Sequence, residues 1–255
     1  MIFAIDIGNT NIVLGCIQDR KILFTERLST DHSKTDLEHA ISIKTVLELH
    51  QINPRDIEGA IIGSVVPPLT GLFREALRKI TGRNALVVGP GIKTGLNILM
   101  DNPAQIGSDL IAAAVAGIAE YPVPQIIIDM GTATTISVID QHKNFIGGMI
   151  LPGLRVSLDS LTSRTSQLPR ISLDPPKRLI GKNTVESMKS GILYGNASCI
   201  DGMICRIEAD LGQKATVIAT GGLCKSIAPL CTREILLDDA LLLKGLLLLY
   251  EKNIA

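Results

Sequence analysis

At 255 residues the chain is long for one domain and comfortable for two small ones. Its 25 basic and 25 acidic residues cancel, and no Lys/Arg block marks a basic groove, so neither nucleic acid nor an acidic membrane is favoured as a partner. Trp is absent and aromatics are 3% against 46% hydrophobic residues, so the core falls to Ile, Leu, Val and Ala, with few rings for stacking bases.

In chain order, the spacing predicts a strand over Ile2 to Ile7 that runs into a Gly-Asn-Thr turn, then strands over Ile12 to Ile17 and Ile22 to Leu28. Residues Thr35 to His50 read as a helix with Ala40, Ile43 and Leu47 on one face. Gly59 to Val66 reads as a buried strand ended by Pro67-Pro68. Leu72, Phe73, Ala76, Leu77 and Ile80 mark a second amphipathic helix that Gly82 stops. A strand at Ala85 to Val88 and an Ala-rich helix over Gly107 to Tyr121 complete the first half.

The pattern then restarts. Ile126-Ile127-Ile128-Asp129-Met130-Gly131-Thr132-Ala133-Thr134-Thr135 resembles Phe3-Ala4-Ile5-Asp6-Ile7-Gly8-Asn9-Thr10-Asn11-Ile12. A weaker echo pairs Ile61-Ile62-Gly63-Ser64 with Val217-Ile218-Ala219-Thr220-Gly221-Gly222. Duplication at half the chain length predicts two similar α/β lobes, residues 1–115 and 116–255, with the Asp-Gly loops lining a central cleft. The apolar run near Ala240 to Leu249, broken by Lys244, reads as a buried helix and is too short for a membrane span. The start lacks the basic flank and length of a signal segment, so a cytoplasmic location is expected.

The two loops carry the chemistry. Gly8 permits a tight turn, and Asn9, Thr10 and Asn11 supply neutral donors for phosphate oxygens. An ordinary hairpin turn is the plain alternative for either loop alone. Neither loop contains Lys or Arg, yet each carries an Asp, so a bound polyphosphate needs cations between: Mg²⁺, with a monovalent ion beside one Asp. A Walker-type glycine-Lys loop is absent. Asp109, at the start of the Ala-rich helix, is the general-base candidate, with a helix-stabilising carboxylate as the alternative; the helix dipole is expected to keep it ionised. The four histidines read as surface or satisfied residues. The five cysteines form no C-x-x-C pair and read as plain thiols.

These segments together resemble the type III pantothenate kinases. The resemblance runs through Asp6-Ile7-Gly8-Asn9-Thr10, Asn102-Pro103, Gly107-Ser108-Asp109, Asp129-Met130-Gly131-Thr132-Ala133-Thr134, Gly147-Gly148-Met149-Ile150-Leu151-Pro152-Gly153-Leu154 and Gly181-Lys182-Asn183-Thr184 to Ser187. Ser190 to Gly195, Ala219-Thr220-Gly221-Gly222 and Leu243-Lys244-Gly245-Leu246 continue it. It implies a duplicated actin-like, ribonuclease H-like fold of the acetate/sugar kinase–Hsp70–actin superfamily. It also implies ATP-dependent phosphorylation of pantothenate, the opening step of coenzyme A synthesis, in a homodimer that needs Mg²⁺ and K⁺ or NH₄⁺.

By that resemblance Asp6, Ile7, Gly8, Asn9, Thr10, Asn11, Ile12 and Val13 carry the ATP phosphates, with Thr132 contributing and Asp6 reaching Mg²⁺ through water. Asp129 ligates the monovalent cation and Asp109 takes the proton. Met100, Gly107, Ser108, Asp109, Leu110 and Thr184 form the acceptor side, Thr184 near the dimer interface. Two positions depart from the family, which usually has Arg where Leu110 stands and Tyr where Met100 stands. A kinase of another small alcohol, or a nucleotide-binding regulatory relative, therefore stays open beside pantothenate kinase.

Overall fold

Alternation along the first strand decides where its carboxylate goes. In β1 (Ile2–Ile7), Phe3, Ile5 and Ile7 enter one buried cluster, whereas Ile2 and Ala4 face another, and Asp6 shares their side. The computed structural model describes residues 1–254. The first half continues through β2 (Asn11–Gln18), β3 (Lys21–Ser29), α1 (Asp36–Leu49), β4 (Gly59–Ser64), α2 (Pro67–Thr81), β5 (Leu86–Val87), β6 (Asn97–Ile98) and α3 (Ser108–Glu120). The second half comprises β7 (Gln125–Met130), β8 (Ala133–Ile139), β9 (Asn144–Pro152), α4 (Leu154–Ser163), α5 (Thr184–Leu211), β10 (Thr216–Thr220), α6 (Cys224–Ile227), β11 (Leu236–Leu237) and α7 (Leu241–Ile254).

Two compact units result. The first holds Met1–Leu96, Asp101–Ala116 and the chain from Ala240 onward; the second holds Asn97–Met100 and Gly117–Asp239. The first unit's sheet runs β3-β2-β1-β4-β5, with antiparallel β1–β2–β3 and parallel β1–β4–β5. The second runs β9-β8-β7-β10-β11 in the same sense, with β6 added beside β9. Identical strand order in both halves makes the fold a duplicated, actin-like α/β architecture. The echo between residues 61–64 and 217–222 reflects β4 and β10 in equivalent places, each parallel to its Asp-bearing strand.

One face of the first sheet is covered by α1 and α2 through Ala40, Ile43, Leu47, Leu69, Phe73 and Leu77. The other is covered by α3 and α7, whose Ile111, Ala112, Leu243, Leu246 and Leu249 meet Ala4 and Ile61. A division at residue 115 assigns α7 to the second lobe, yet α7 packs in the first unit. Its apolar side chains fill the sheet face that the first hairpin leaves open, and Gly59 and Gly245 admit Tyr250 and the Ala112 backbone at close range. In the second unit, α5, α6 and α4 cover one sheet face through Leu193, Ala197, Ile200, Ile204, Ile227 and Leu154.

Helix ends follow local chemistry. Thr35 and Glu38 form a capping box at α1. Pro67 and Pro68 do end the strand region, but they occupy the first turn of α2, where a missing N–H costs nothing. Gly82 stops that helix at φ 70°. His39 departs from the surface-or-satisfied expectation: it is buried against Phe73, ring centroids 4.2 Å apart, and its Nε2 has no hydrogen-bond partner. Burial lowers its pKa, so the neutral ring is favoured there. All five cysteines are free. Among the described residues no helix is long and apolar enough to cross a membrane.

Candidate active site

In the first unit, three segments meet at one place, and two of them bring side-chain oxygens. Parallel pairing sets Gly63 of β4 beside Asp6 of β1. Both project toward α3, by the alternation that puts Ala4 and Ile61 on that side. A Cβ on Gly63 would lie 3.5 Å from Ser108 Oγ and 3.7 Å from Asp6 Oδ1. The niche is therefore walled by the end of one strand and the start of one helix.

The loop after Asp6 is closed on itself. Gly8 N–H donates to Asn11 O at 3.0 Å, Thr30 Oγ1 donates to Gly8 O at 2.6 Å, and Thr30 N–H donates to Thr10 O at 3.0 Å. Gly8 thus spends its own amide on the turn rather than on a ligand. Asn9, Thr10 and Asn11 are exposed at its tip, while Ile7 and Ile12 are fully buried. Side chains for a ligand therefore come from the tip alone, and Ile7 and Ile12 anchor the loop in the core.

Asp109 lies in the first turn of α3. Its Oδ1 accepts from Leu110 N–H at 2.9 Å, and the carboxylate folds back over Gly107, where a Cβ would collide with it and stand 3.4 Å from Val65 Cγ1. Burial raises its pKa; backbone hydrogen bonds, including that from Leu110, oppose this without winning. Desolvation thus outweighs the helix-start effect expected from sequence. A carboxylate held this way is a stronger base than one in water.

The second unit carries the matching loop by itself. Asp129 ends β7 on the face opposite Ile126, Ile128 and Met130, which is the parity of Asp6 in β1. Gly131 N–H donates to Ala133 O at 3.0 Å. Pairing closes at Met130 with Thr134, against Ile7 with Ile12 in the first unit, so this turn is one residue shorter. Gly221, at φ 91°, packs its backbone against the Asp129 carboxylate, where a Cβ would collide, and Thr132 is exposed at the tip. The donors at both loops are carboxylate and other oxygens, the set that suits Mg²⁺ and alkali ions. Among the described residues no three His, Cys, Asp or Glu side chains cluster as metal ligands.

Thr184 opens α5, whose N-cap Asn183 accepts from Glu186 N–H at 2.9 Å. With Leu161, Lys182, Ser187 and Met188 it lines an open pocket of about 760 Å³, within the range of small-molecule sites. Met100 is exposed and belongs to the second unit, whereas Leu110 is half-buried in the first.

The family model described as type III pantothenate kinase matches residues 2–206. The chain belongs to the type III pantothenate kinase family. It is 46% identical over 253 residues to a type III pantothenate kinase of Bacillus cytotoxicus, covering 99% of this chain and 97% of that one. It is 43% identical over 254 residues to one from Halalkalibacterium halodurans, with 100% of both covered. Among solved structures, the activator of the 2-hydroxyisocaproyl-CoA dehydratase from Clostridium difficile, with bound ADPNP, matches at TM-score 0.57 and 14% identity. That match covers 98% of this chain and 93% of that one and speaks to fold alone.

The sequence marks both Asp-Gly loops and Asp109 as candidates in this type III pantothenate kinase but gives Gly63 and Gly221 no role. Each lies next to an Asp that is far away in sequence. The signal available was the echo of β4 and β10, which marked them as repeat glycines without saying what they approach.

Proposed function

We propose that the protein transfers the γ-phosphoryl group of ATP to the hydroxyl of pantothenate, the opening step of coenzyme A synthesis. The observation that carries this, within the family, is Asp109: a half-buried carboxyl with raised proton affinity at the start of α3, folded back over Gly107 in the unit that also bears the Asp6 loop. Asp109 accepts the hydroxyl proton as the alcohol oxygen bonds to the γ-phosphorus. The bond from that phosphorus to the β–γ bridging oxygen breaks, and ADP leaves. The exposed tip residues Asn9, Thr10 and Asn11 bind phosphate oxygens, with Thr132 serving the same ligand.

Mg²⁺ fits the Asp6 side, where a carboxylate and a buried hydroxyl flank the bare Gly63 backbone, and it would neutralise phosphate charge there. A monovalent cation, K⁺ or NH₄⁺, fits Asp129, whose carboxylate lies against bare Gly221 backbone. Thr184 orients the acceptor, and a homodimer with the site near its interface is part of the same proposal. Leu110 and Met100 put apolar side chains at the two positions where Arg and Tyr usually stand, so each offers the acceptor fewer polar contacts.

The test is a coupled assay of ADP release with Mg²⁺ and K⁺, against pantothenate and a panel of small alcohols. Pantothenate should be the preferred acceptor. A different preferred alcohol would reassign the substrate, and nucleotide binding without turnover of any acceptor would refute the kinase function.

A further inference from the structure

The Asp6 loop differs from an ordinary hairpin in one bond. Ile7 pairs with Ile12, and Gly8 N–H donates to Asn11 O at 3.0 Å. A two-residue turn is normally closed by the reverse bond as well, from Asn11 N–H to Gly8 O. Among the described residues that bond is not made. Gly8 O accepts instead from Thr30 Oγ1 at 2.6 Å, and Thr30 N–H donates to Thr10 O at 3.0 Å. One half-buried residue just past β3 thus holds two carbonyls of the loop. In a trans peptide the C=O and the following N–H point in opposite directions. Gly8 C=O shares its peptide with Asn9 N–H, and Thr10 C=O shares its peptide with Asn11 N–H. With both carbonyls turned to Thr30, both amides turn away from it, at residues that are exposed. Alternate amides on one side of a turn suit the oxygens of an anion.

The second unit fixes its loop without such a hydroxyl. Thr134 pairs with Met130 and Leu151 as Ile12 pairs with Ile7 and Leu28, so Gly153 stands where Thr30 does. A Cβ on Gly153 would collide with Thr132 O and Gly131 O, so no side chain fits there. The threonine grip belongs to the first loop.

We propose that Thr30 is a positioning residue for the nucleotide: by holding Gly8 O and Thr10 O it keeps the backbone amides of Asn9 and Asn11 aimed at phosphate oxygens of ATP. Without its hydroxyl, Gly8 O recruits Asn11 N–H, the tip closes as an ordinary hairpin turn, and the ligand loses a donor. Thr30 acts through the loop and not by touching substrate. The inference rests on the proposed kinase function.

The experiment compares the wild type with Thr30→Val, which keeps the branched shape and removes the donor, and with Thr30→Ser, which keeps the donor. Binding of a non-hydrolysable ATP analogue with Mg²⁺ is measured by calorimetry, the KM values of ATP and pantothenate by steady-state kinetics, and exchange of the Asn11 amide by nuclear magnetic resonance. Thr30→Val should weaken analogue binding and raise the ATP KM by about two- to tenfold, as the worth of one hydrogen bond implies. The pantothenate KM and kcat should change little, and Thr30→Ser should bind the analogue as the wild type does. The Asn11 amide should exchange fast in the free wild type and slowly with the analogue bound, and slowly in free Thr30→Val. Unchanged ATP affinity in Thr30→Val beside a lower melting temperature marks a purely structural role and would overturn the inference. So would a defect that Thr30→Ser shares, or an Asn11 amide whose exchange the analogue leaves unaltered in the wild type. Should Thr30→Val fail to fold, Thr30→Ser and the wild-type exchange decide. A wild type that binds no analogue would overturn the kinase function as well, which separates the two failures.

Discussion

Asp109→Asn separates the proposed catalytic role of this side chain from its structural one. The amide is nearly isosteric, and its Oδ1 can still accept from Leu110 N–H, which lies 2.9 Å from the carboxylate. Only basicity and charge are lost. Removing a general base costs about 10²–10⁴ in the chemical step. At about 1.36 kcal/mol per tenfold, that is about 2.7–5.4 kcal/mol of transition-state stabilisation. Stability should move the other way. The folded pKa of Asp109 lies above its unfolded value because burial penalises the charge. Stability from this group is thus fully present below the unfolded carboxylate value of about 3.9 and is lost as pH rises through the raised folded pKa. At neutral pH the Asn variant escapes that penalty and should melt at a higher temperature than the wild type, whereas near pH 3 the advantage should vanish. The assay is stopped-flow phosphoryl transfer alongside thermal melts across pH. The acidic limb of kcat/KM set by Asp109 should also disappear in the variant. Near-wild-type turnover would refute the base assignment, and a destabilised variant at neutral pH would refute the burial account.

The remaining predictions concern the acceptor side and the second loop. Introducing Met100→Tyr with Leu110→Arg should lower the pantothenate KM by about ten- to a hundredfold, as a charge-assisted hydrogen bond of about 1.5–3 kcal/mol implies; steady-state kinetics would show it. Asp129→Asn should abolish the difference between turnover in potassium and in sodium buffers, and a retained potassium preference would remove Asp129 as the cation ligand. Gly221→Ala should destabilise by about 1–3 kcal/mol in urea denaturation, because an L-residue is strained at φ 91° and its Cβ meets the Asp129 carboxylate. Gly202→Ala, with open space inside α5, should be neutral or slightly stabilising in the same experiment.

Much of the framework was legible because it is local. Strands β1, β2 and β3 follow alternation, α1 follows its capping box, and Gly82 ends α2 where a left-handed residue was needed. The restart at Ile126 disclosed the duplication, since a repeated strand-Asp-Gly-polar pattern is visible without coordinates. The long helix α5 escaped notice because the stretch mixes glycines, polar residues and cysteines, and its apolar face emerges only as Leu193, Ala197, Ile200 and Ile204 against the sheet.

By itself, the sequence determined the strand order within each hairpin, the two Asp-bearing loops and the position of Asp109. Each depends on neighbours a few residues away. Only the tertiary structure decided that α7 closes the first unit, that Gly63 stands beside Asp6, and that Gly221 presses on Asp129. It also decided that Asp109 is held at raised proton affinity and that Ser108 is left without a partner. Those outcomes come from parallel pairing and burial between segments tens of residues or more apart, where chain connectivity carries no information about who meets whom.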